Sequence, residues 1–437
     1  MKKAIKVSVF CASVLAAATS AQALDLNIYG ASAQYEFWKD EAPLFLQTPV
    51  ANGGMGCDVA TVKFGTLKYT NPINGVTTDN GAAVGFNCQG AGGQTVNIRY
   101  SSNKSVEGPR AVMNMDPQEN DTCITGNPTS DNLREMLTID AAGVKTMGCH
   151  DVNLGASDVA SEAFTQESHG FENGIYNQTD FNEVLDPATI PGASTPGMTY
   201  WRPIVVPFSF FANTALTDTN NLTRLQAVLL MSGNVSNWDQ FGYTSNWVVS
   251  CMRHAGSGTH ATLDKAVMRG DKALANTQFY LPFPAPTQTI LFHTSSSELS
   301  KCVNENALKG PGYVAVGYAD TDKIVKSIAA DGSEVNTSYP SVKRLTYNGA
   351  GMGKVAGSGT SNAPIKGEIA NGIYDFWSAQ WIYMDKAHES TAVYDAANTM
   401  MTFASKAANL PTAKKYYWLA AEELNVSKEN DSVLPHF

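Results

Sequence analysis

Hydrophobic positions near the start of the chain follow two periods in succession. From Leu26 to Tyr29 apolar and polar residues alternate, which is the period of a half-buried strand, and Gly30 then favours a turn. After the turn, apolar residues recur at near-helical spacing, at Tyr35, Phe37, Trp38, Leu44 and Phe45. The pattern predicts a strand, a turn and a helix.

The same succession recurs in the middle of the chain, with a glycine-rich loop between the two elements. Residues 247–251 form a short, β-branched apolar run, and an apolar helical face follows at Ala261, Leu263, Ala266 and Val267. The loop between them is Arg-x-x-Gly-Ser-Gly-Thr at 253–259. A helix N-terminus after a strand presents N–H donors and a partial positive charge, so we interpret this loop as an anion site. The alternative is a flexible Gly-Ser loop with a surface arginine.

The remaining pattern predicts a mixture of strands and helices. The predicted elements are β-hairpins over 51–100, a linker with surface loops over 165–199, strands at 204–213, 310–318 and 374–384, and helices near 295–308, 391–410 and 412–425. Strands and helices interspersed in this way indicate an α/β protein.

The first 23 residues have the order of a secretory signal peptide. Three lysines precede an apolar stretch at 7–18, and Ala21-Gln22-Ala23 supplies the small residues of a cleavage site. The stretch is too short to span a membrane. We expect cleavage after Ala23 and a soluble product in the periplasm or secreted from the cell.

Composition and charge exclude some partners. The apolar fraction of 43% is that of a globular protein. Removal of residues 1–23 leaves 27 basic and 40 acidic residues, a formal charge of −13. This balance argues against nucleic acid as a partner. It does not exclude a small anion, because donors in a cleft act locally while distant charges are screened.

Enzymatic motifs are absent from the sequence. Ala255 breaks the Gly-x-Ser-x-Gly pattern around Ser257, and there is neither a His-Glu-x-x-His motif nor a phosphate loop ending in Gly-Lys-Ser/Thr. His254 and His260 are six residues apart, which does not place them on one helical face. We therefore expect no catalytic residue, no metal and no cofactor.

Four motifs together resemble periplasmic phosphate-binding proteins of ABC transporters. They are an opening strand and turn at 28–35, a Gly-Ala-Ser-Asp motif at 155–158, a helix, glycine turn and Asn-Trp at 222–238, and the loop at 253–259. The resemblance implies an α/β fold of two lobes, a type II periplasmic-binding-protein fold, with the ligand cleft between lobes and two hinge crossovers.

The lobes can be assigned on the same basis. Lobe I would comprise residues 24–200, with insertions at 43–100 and 109–153, together with the return segment 366–437. Lobe II would comprise residues 201–365. The crossovers are expected near 199–207 and 365–374.

The resemblance also implies a ligand set drawn from both lobes. Lobe I would contribute the backbone at Gln34 and Tyr35, the Ser105 hydroxyl and Asp158. Lobe II would contribute Arg253, Ser257, Gly258 and Thr259. Compact members of the family have threonine where Gln34 aligns, and a glutamine amide reaches further. From the residues alone, Asp158 is also a good N-cap for a helix over 159–164.

Six cysteines remain after processing, an even set that favours disulfides in an exported protein, with six free thiols as the alternative. Sequence alone permits 15 connectivities. Within the resemblance each insertion holds two cysteines, which predicts Cys57–Cys88 and Cys123–Cys149, and leaves Cys251–Cys302.

The function implied is capture of inorganic phosphate, or a related oxyanion, by a monomer that delivers it to an ABC permease. The alternative is an exported structural or surface-interaction protein that retains this fold while its insertions contact a partner.

Overall fold

The computed structural model of the protein describes residues 23–73, 75–118, 123, 132–172, 179–269, 290–305, 311–328, 334–351, 363–431 and 433–437. The predicted signal peptide lies outside these ranges except for Ala23, so its removal stays a prediction. Within the ranges, no helix has the length and apolar character that crossing a bilayer requires.

One sheet contains the start of the chain. Its strands are β1 (Leu24–Ala31), β2 (Lys63–Thr70), β3 (Thr77–Cys88), β4 (Gln94–Asn103), β7 (Leu154–Ser157), β10 (Met198–Trp201) and β20 (Trp381–Asp385). Their spatial order is β10-β20-β7-β1-β4-β3-β2. The central strand β1 runs parallel to both β4 and β7, whereas the outer pairs are antiparallel. The hairpins predicted over 51–100 are confirmed as β2, β3 and β4. A separate hairpin, β5 (Leu133–Ile139) with β6 (Lys145–Asp151), packs beside them.

The second sheet contains the middle of the chain. Its strands are β8 (Glu167–Glu172), β9 (Thr179–Val184), β11 (Ile204–Asn213), β12 (Asn221–Leu222), β13 (Trp247–Arg253), β14 (Ile290–His293), β15 (Tyr313–Asp320), β18 (Val342–Tyr347), β19 (Trp377–Ala379) and β21 (Leu419–Ala420). The order is β12-β18-β11-β15-β13-β14-β8-β9, and β19 and β21 pair with β11. The apolar run that forms β11 is buried along its whole length. A small hairpin, β16 (Val325–Ile328) with β17 (Glu334–Thr337), forms a separate two-stranded sheet.

The described chain changes sheet five times, because the β8–β9 hairpin and β21 belong to the second sheet while β10 and β20 belong to the first. Two of these passages correspond to the predicted crossovers. The chain leaves the first sheet after Trp201 and enters the second at Ile204. It returns at Gln380, because β19 pairs with β11 and β20 pairs with β7. The passage from Trp201 to Ile204 lies in the first predicted crossover range, whereas the return at Gln380 lies beyond Tyr374, the end of the second range. The lobe boundaries themselves stay a prediction.

Helices cover the sheets. They are α1 (Tyr35–Gln47), α2 (Glu107–Val112), α3 (Arg224–Met231), α4 (Gly258–Thr262), α5 (Ser296–Asn304), α6 (Ala363–Ala370) and α7 (Thr391–Ala404). The helices predicted near 295–308 and 391–410 correspond to α5 and α7. These helices and sheets confirm the α/β class.

Two sequence interpretations were wrong. Residues 412–425 form turns, the short strand β21 and a 3-10 turn at Ala421–Glu423, because Leu419 and Ala420 pair with β11 and Trp418 is buried. The segment 165–199 is more than a linker with loops, since β8 and β9 form a hairpin that extends the second sheet beside β14.

All three predicted disulfides are present. Cys57–Cys88 joins the segment after α1 to the end of β3, and Cys123–Cys149 joins residue 123 to β6. Cys251–Cys302 joins β13 to α5. Cross-links of this size restrict the unfolded chain and stabilise the fold by roughly 3 to 4 kcal/mol each in the chain-entropy model.

Candidate functional site

The lobe II part of the site begins where β13 ends at Arg253. The chain turns through 254–257 and continues as α4 and then as a single π-helical turn, Leu263–Met268. Ser257 is the N-cap residue, but its side chain caps nothing. Its hydroxyl is buried and has no hydrogen-bond partner within the described residues. A helix start with an unused, buried hydroxyl is an arrangement suited to an anion.

The lobe I part of the site lies at one edge of the first sheet. Ser105 follows β4 and Asp158 follows β7, and both strands are parallel neighbours of β1, so their carboxyl ends meet at the same edge. The backbones of α2 and β7 pack closely beside these residues. A Cβ on Gly108 would lie only 2.3 Å from the Ala156 carbonyl oxygen. The Ser105 hydroxyl donates to Asp158 Oδ2 at 3.0 Å.

Asp158 does not cap a helix. Its contact with a ligand stays a prediction. The next helical turn along the chain is Ser161–Ala163, whose N-cap residue is Ala160. Asp158 is buried, and its Oδ1 accepts no hydrogen bond of ordinary length from the described residues. Burial raises the pKa of Asp158 to about 7, while hydrogen bonding to Ser105 and Thr259 and the charge of Arg253 act in the opposite direction.

The two parts are in direct contact. A Cβ on Gly258 would lie 2.5 Å from Asp158 Cβ and 2.6 Å from Ser105 Oγ, so only glycine fits there without a shift. The Val106 N–H donates to the Gly256 carbonyl at 3.4 Å. The structure thus brings together Ser105, Asp158, Ser257, Gly258 and Thr259, although they are up to 154 positions apart in the sequence.

Arg253 is buried, and a loop of lobe II fixes its guanidinium. Nε donates to the His293 carbonyl at 3.2 Å, Nη1 to Ser296 Oγ at 2.7 Å and Nη2 to the Thr294 carbonyl at 3.0 Å. These bonds use three of the five guanidinium donors. Arg253 remains close enough to Asp158 for each charge to favour the other's ionised form. The guanidinium is therefore held rigidly in one position by the protein.

Gln34 and Tyr35 lie beside the site, and polar groups of both residues form hydrogen bonds within the protein. The Gln34 amide donates to the Ser157 carbonyl at 3.1 Å, and its oxygen accepts from Trp38 Nε1 at 2.9 Å. The Tyr35 N–H donates to the Ser32 carbonyl. The longer side chain of Gln34 is what lets it reach both partners. A direct ligand role for either residue stays a prediction.

Two further acidic residues reach the site without any signal in the sequence. Glu183 of β9 places Oε2 2.7 Å from His254 Nδ1 and accepts the Gly256 N–H at 3.3 Å. Its Oε1 lies 3.8 Å from Lys104 Nζ, next to Ser105. Burial alone would raise the pKa of Glu183, but His254 and Lys104 lower it to about 2. The second residue, Asp320, ends β15, and its charge acts on both Asp158 and Arg253.

The described residues contain one cluster of atoms of the types that bind metals. Cys251, His293 and Cys302 lie within 4.8 Å of one another. Both sulfurs belong to a disulfide and cannot act as thiolate ligands. This cluster does not fit a metal.

Comparison with known proteins gives the family. The sequence model of the PBP superfamily domain matches residues 185–407, just over half of the chain. No curated protein matches the chain in sequence.

Several solved structures are similar to the chain at low identity. A Clostridium perfringens protein solved with bound phosphate is 12% identical, with a TM-score of 0.46, over 91% of this chain and 99% of that one. A human phosphate binding apolipoprotein is 12% identical, with a TM-score of 0.45, over 90% of each chain. An ABC-type phosphate transport receptor from Vibrio cholerae is 16% identical, with a TM-score of 0.35, over 58% of this chain and 79% of that one. By its sequence, the chain belongs to the PBP superfamily.

Proposed function

We propose that the protein is an extracytoplasmic solute-binding protein that captures inorganic phosphate, or a related oxyanion, in the interlobe site and presents it to an ABC permease. The observation that carries the proposal is the meeting of Ser105 and Asp158 with the loop at 257–259. Among the described residues, Ser257 Oγ is buried there without a hydrogen-bond partner, and Asp158 Oδ1 accepts no hydrogen bond of ordinary length. A buried polar atom without a partner costs roughly 1 to 3 kcal/mol, which a ligand with matching donors and acceptors would recover.

The chemistry of the site favours an anion that carries a proton. Arg253 and the start of α4 supply positive charge and N–H donors. Asp158 is an acceptor that would repel a fully deprotonated anion. Phosphate near neutral pH retains a proton that it can donate to Asp158, whereas sulfate has none.

Phosphate-free protein titrated with phosphate by calorimetry tests this proposal. We expect saturable binding of one phosphate per chain, with weaker binding of sulfate. The protein should be unfolded and refolded under oxidising conditions beforehand, because a tightly bound ligand would hide the titration. Absence of heat with both anions from ligand-free, folded protein would exclude the oxyanion function.

The surface of the first insertion favours a second candidate, an exported interaction protein. Val59, Phe64 and Ile73 are apolar and between 59% and 60% exposed. Phe64 lies on β2, the edge strand of the first sheet. Exposed apolar residues on a sheet edge offer a surface for another protein. Failure of phosphate binding would promote this function.

A further inference from the structure

The C-terminal segment of the chain contacts the loop that carries Asp158. Asp431 is only 5% exposed, and its Oδ2 accepts the Ala160 N–H at 2.6 Å. Ala160 lies two residues after Asp158 and is the N-cap residue of the turn Ser161–Ala163, but its own side chain cannot cap. The first N–H groups of a helical turn have no partner within the turn. Asp431 therefore supplies the missing acceptor from 271 positions away in the sequence.

Asp158 lies on a short span between two fixed points. On one side, Ser157 is the last residue of β7, and its Oγ donates to the Val159 carbonyl at 2.7 Å. On the other side, Asp431 holds Ala160 through a hydrogen bond to a charged acceptor, which is stronger than one between neutral groups. Binding groups keep their geometry only when the residues around them are fixed, so loss of the second anchor should displace Asp158.

The C-terminal segment is also bonded to both connections that correspond to the predicted crossovers. The Lys428 carbonyl accepts from Arg202 Nη1 at 2.9 Å, and Arg202 lies in the first of these connections. Lys428 Nζ donates to the Asp375 carbonyl at 3.1 Å and to the Trp377 carbonyl at 2.9 Å, shortly before the return to the first sheet. A hinge motion would change the backbone at these connections. The position of the segment is thereby linked to the angle between the two sheets.

Nearby charges favour the ionised form of Asp431. Burial raises the pKa of Asp431 to about 6, and the charge of Glu162 adds to this rise. The hydrogen bond from Ala160 and the charges of Lys428 and Arg202 act in the opposite direction. Asp431 is therefore ionised at pH 8, and the Ala160 N–H then meets a full negative charge.

We propose that Asp431 is a positioning residue for the oxyanion site, which fixes the loop carrying Asp158 and links its position to the two connections between the sheets. This inference rests on the proposed oxyanion function and adds to it a determinant of selectivity that lies outside the binding residues. Asp431 acts through Ala160, so its effect should fall on the discrimination that Asp158 provides.

Calorimetry with phosphate and sulfate at pH 8 tests the inference by the ratio of the two affinities. In Asp431→Ala the ratio should fall about tenfold, because a displaced Asp158 forms a poorer hydrogen bond with the proton that phosphate carries and sulfate lacks. Asp431→Asn keeps an oxygen acceptor for the Ala160 N–H and should restore most of the ratio.

Glu429→Ala is the matched control, because Glu429 belongs to the same segment and is exposed. Its ratio should equal that of the wild-type protein. If Asp431→Ala lowers the melting temperature but keeps the wild-type ratio, Asp431 is merely structural and the inference is wrong, while the proposed function stands. A wild-type protein that binds neither anion would contradict the proposed function itself.

Hydrogen exchange on the wild-type protein decides the outcome even if Asp431→Ala does not fold. Saturating phosphate should slow exchange in residues 158–163 and in residues 427–431 together, because the two segments are bonded to each other. Protection of 158–163 with no change in 427–431 would overturn the inference.

Discussion

The charges in the two halves of the site depend on pH in different ways. In lobe II, Arg253 is fixed by three hydrogen bonds, and burial lowers the pKa of both His260 and His293 to about 3. Both histidines are therefore neutral near pH 7, and the charge of Arg253 does not change with physiological pH. In lobe I, burial raises the pKa of Asp158 to about 7, so the charge of that half changes within the physiological range.

From this difference we expect the two lobes to have separate tasks in binding. A constant, rigidly held cation provides affinity for any oxyanion, because it complements charge alone. A carboxyl that titrates near neutrality responds to whether the anion carries a proton. Affinity should therefore depend mainly on lobe II and selectivity mainly on lobe I.

The largest effect is expected from Arg253→Ala. Removal of the buried guanidinium should weaken phosphate and sulfate alike, by about 3 kcal/mol or more, which is over a hundredfold. Calorimetry with both anions measures the change, and the melting temperature checks that the loop of His293 and Ser296 remains folded. If only phosphate binding fell, the separation of tasks between the lobes would be wrong.

Gly258→Ala should separate the two halves without changing any charge. The added methyl group would meet Asp158 Cβ and Ser105 Oγ at under 3 Å, so the lobes must move apart or the loop must shift, at a cost of about 1 to 3 kcal/mol. Phosphate affinity should fall about tenfold, and small-angle scattering should show a more open molecule.

Gly367→Ala is the control for that substitution. Gly367 lies in α6, and a Cβ there meets nothing within 4 Å, so affinity should be unchanged and stability unchanged or slightly higher. Unaltered phosphate binding by Gly258→Ala would show that the contact between the halves is not needed for capture.

Asp158→Asn should stabilise the ligand-free protein at alkaline pH. The folded carboxyl has a pKa of about 7 against an ordinary value of 3.8, so the folded state binds the proton more tightly and loses stability as pH rises from about 4 to 7. The neutral amide removes this loss, which is at most about 4 kcal/mol above pH 7. Chemical denaturation at pH 5 and pH 8 should show a gain that is larger at pH 8. A gain of equal size at both values would contradict the raised pKa.

The smallest effect is expected from Glu183→Gln. The amide keeps the shape of the side chain but removes the charge that faces Lys104 of lobe I and the loop of His254 and Gly256 in lobe II. Phosphate affinity should fall by about 1 kcal/mol, several-fold, because closure loses part of its electrostatic support. Exposed Glu429→Gln is the control and should change nothing. A loss as large as that of Arg253→Ala would make Glu183 part of the binding site.

The parts of the site that were predictable from sequence are those encoded locally. The loop at 253–259 has its strand before it and its helix after it, and the Gly-Ala-Ser-Asp motif marks the end of β7. Two of the disulfides, Cys57–Cys88 and Cys123–Cys149, followed from assigning each cysteine pair to one insertion. In each case the informative residues are neighbours in the chain or belong to one segment.

The parts that sequence did not reveal depend on contacts between distant segments. Glu183 lies in a segment rich in turn-forming residues, and only the pairing of β8 with β14 brings it to His254. The three partners of Arg253 lie at 293–296, some forty positions further along the chain. In residues 412–425, apolar and polar positions show little alternation, and helix-forming residues are present. The pairing of β21 with β11 nevertheless determines the structure of this segment. In the sequence, Asp320 is only the last residue of an apolar strand. Its effect on Asp158 and Arg253 depends on how the two lobes pack together.

The most direct test of the separation between lobes is the ratio of phosphate to sulfate affinity, measured by calorimetry at pH 8 for the wild-type protein and Asp158→Asn. The wild-type protein should prefer phosphate by roughly thirtyfold to several-thousandfold, corresponding to 2 to 5 kcal/mol for a buried acceptor that sulfate leaves unmet. Asp158→Asn should bring the two affinities much closer together, mainly through tighter sulfate binding. A wild-type protein that binds both anions equally, or a variant that keeps the full preference, would contradict the account.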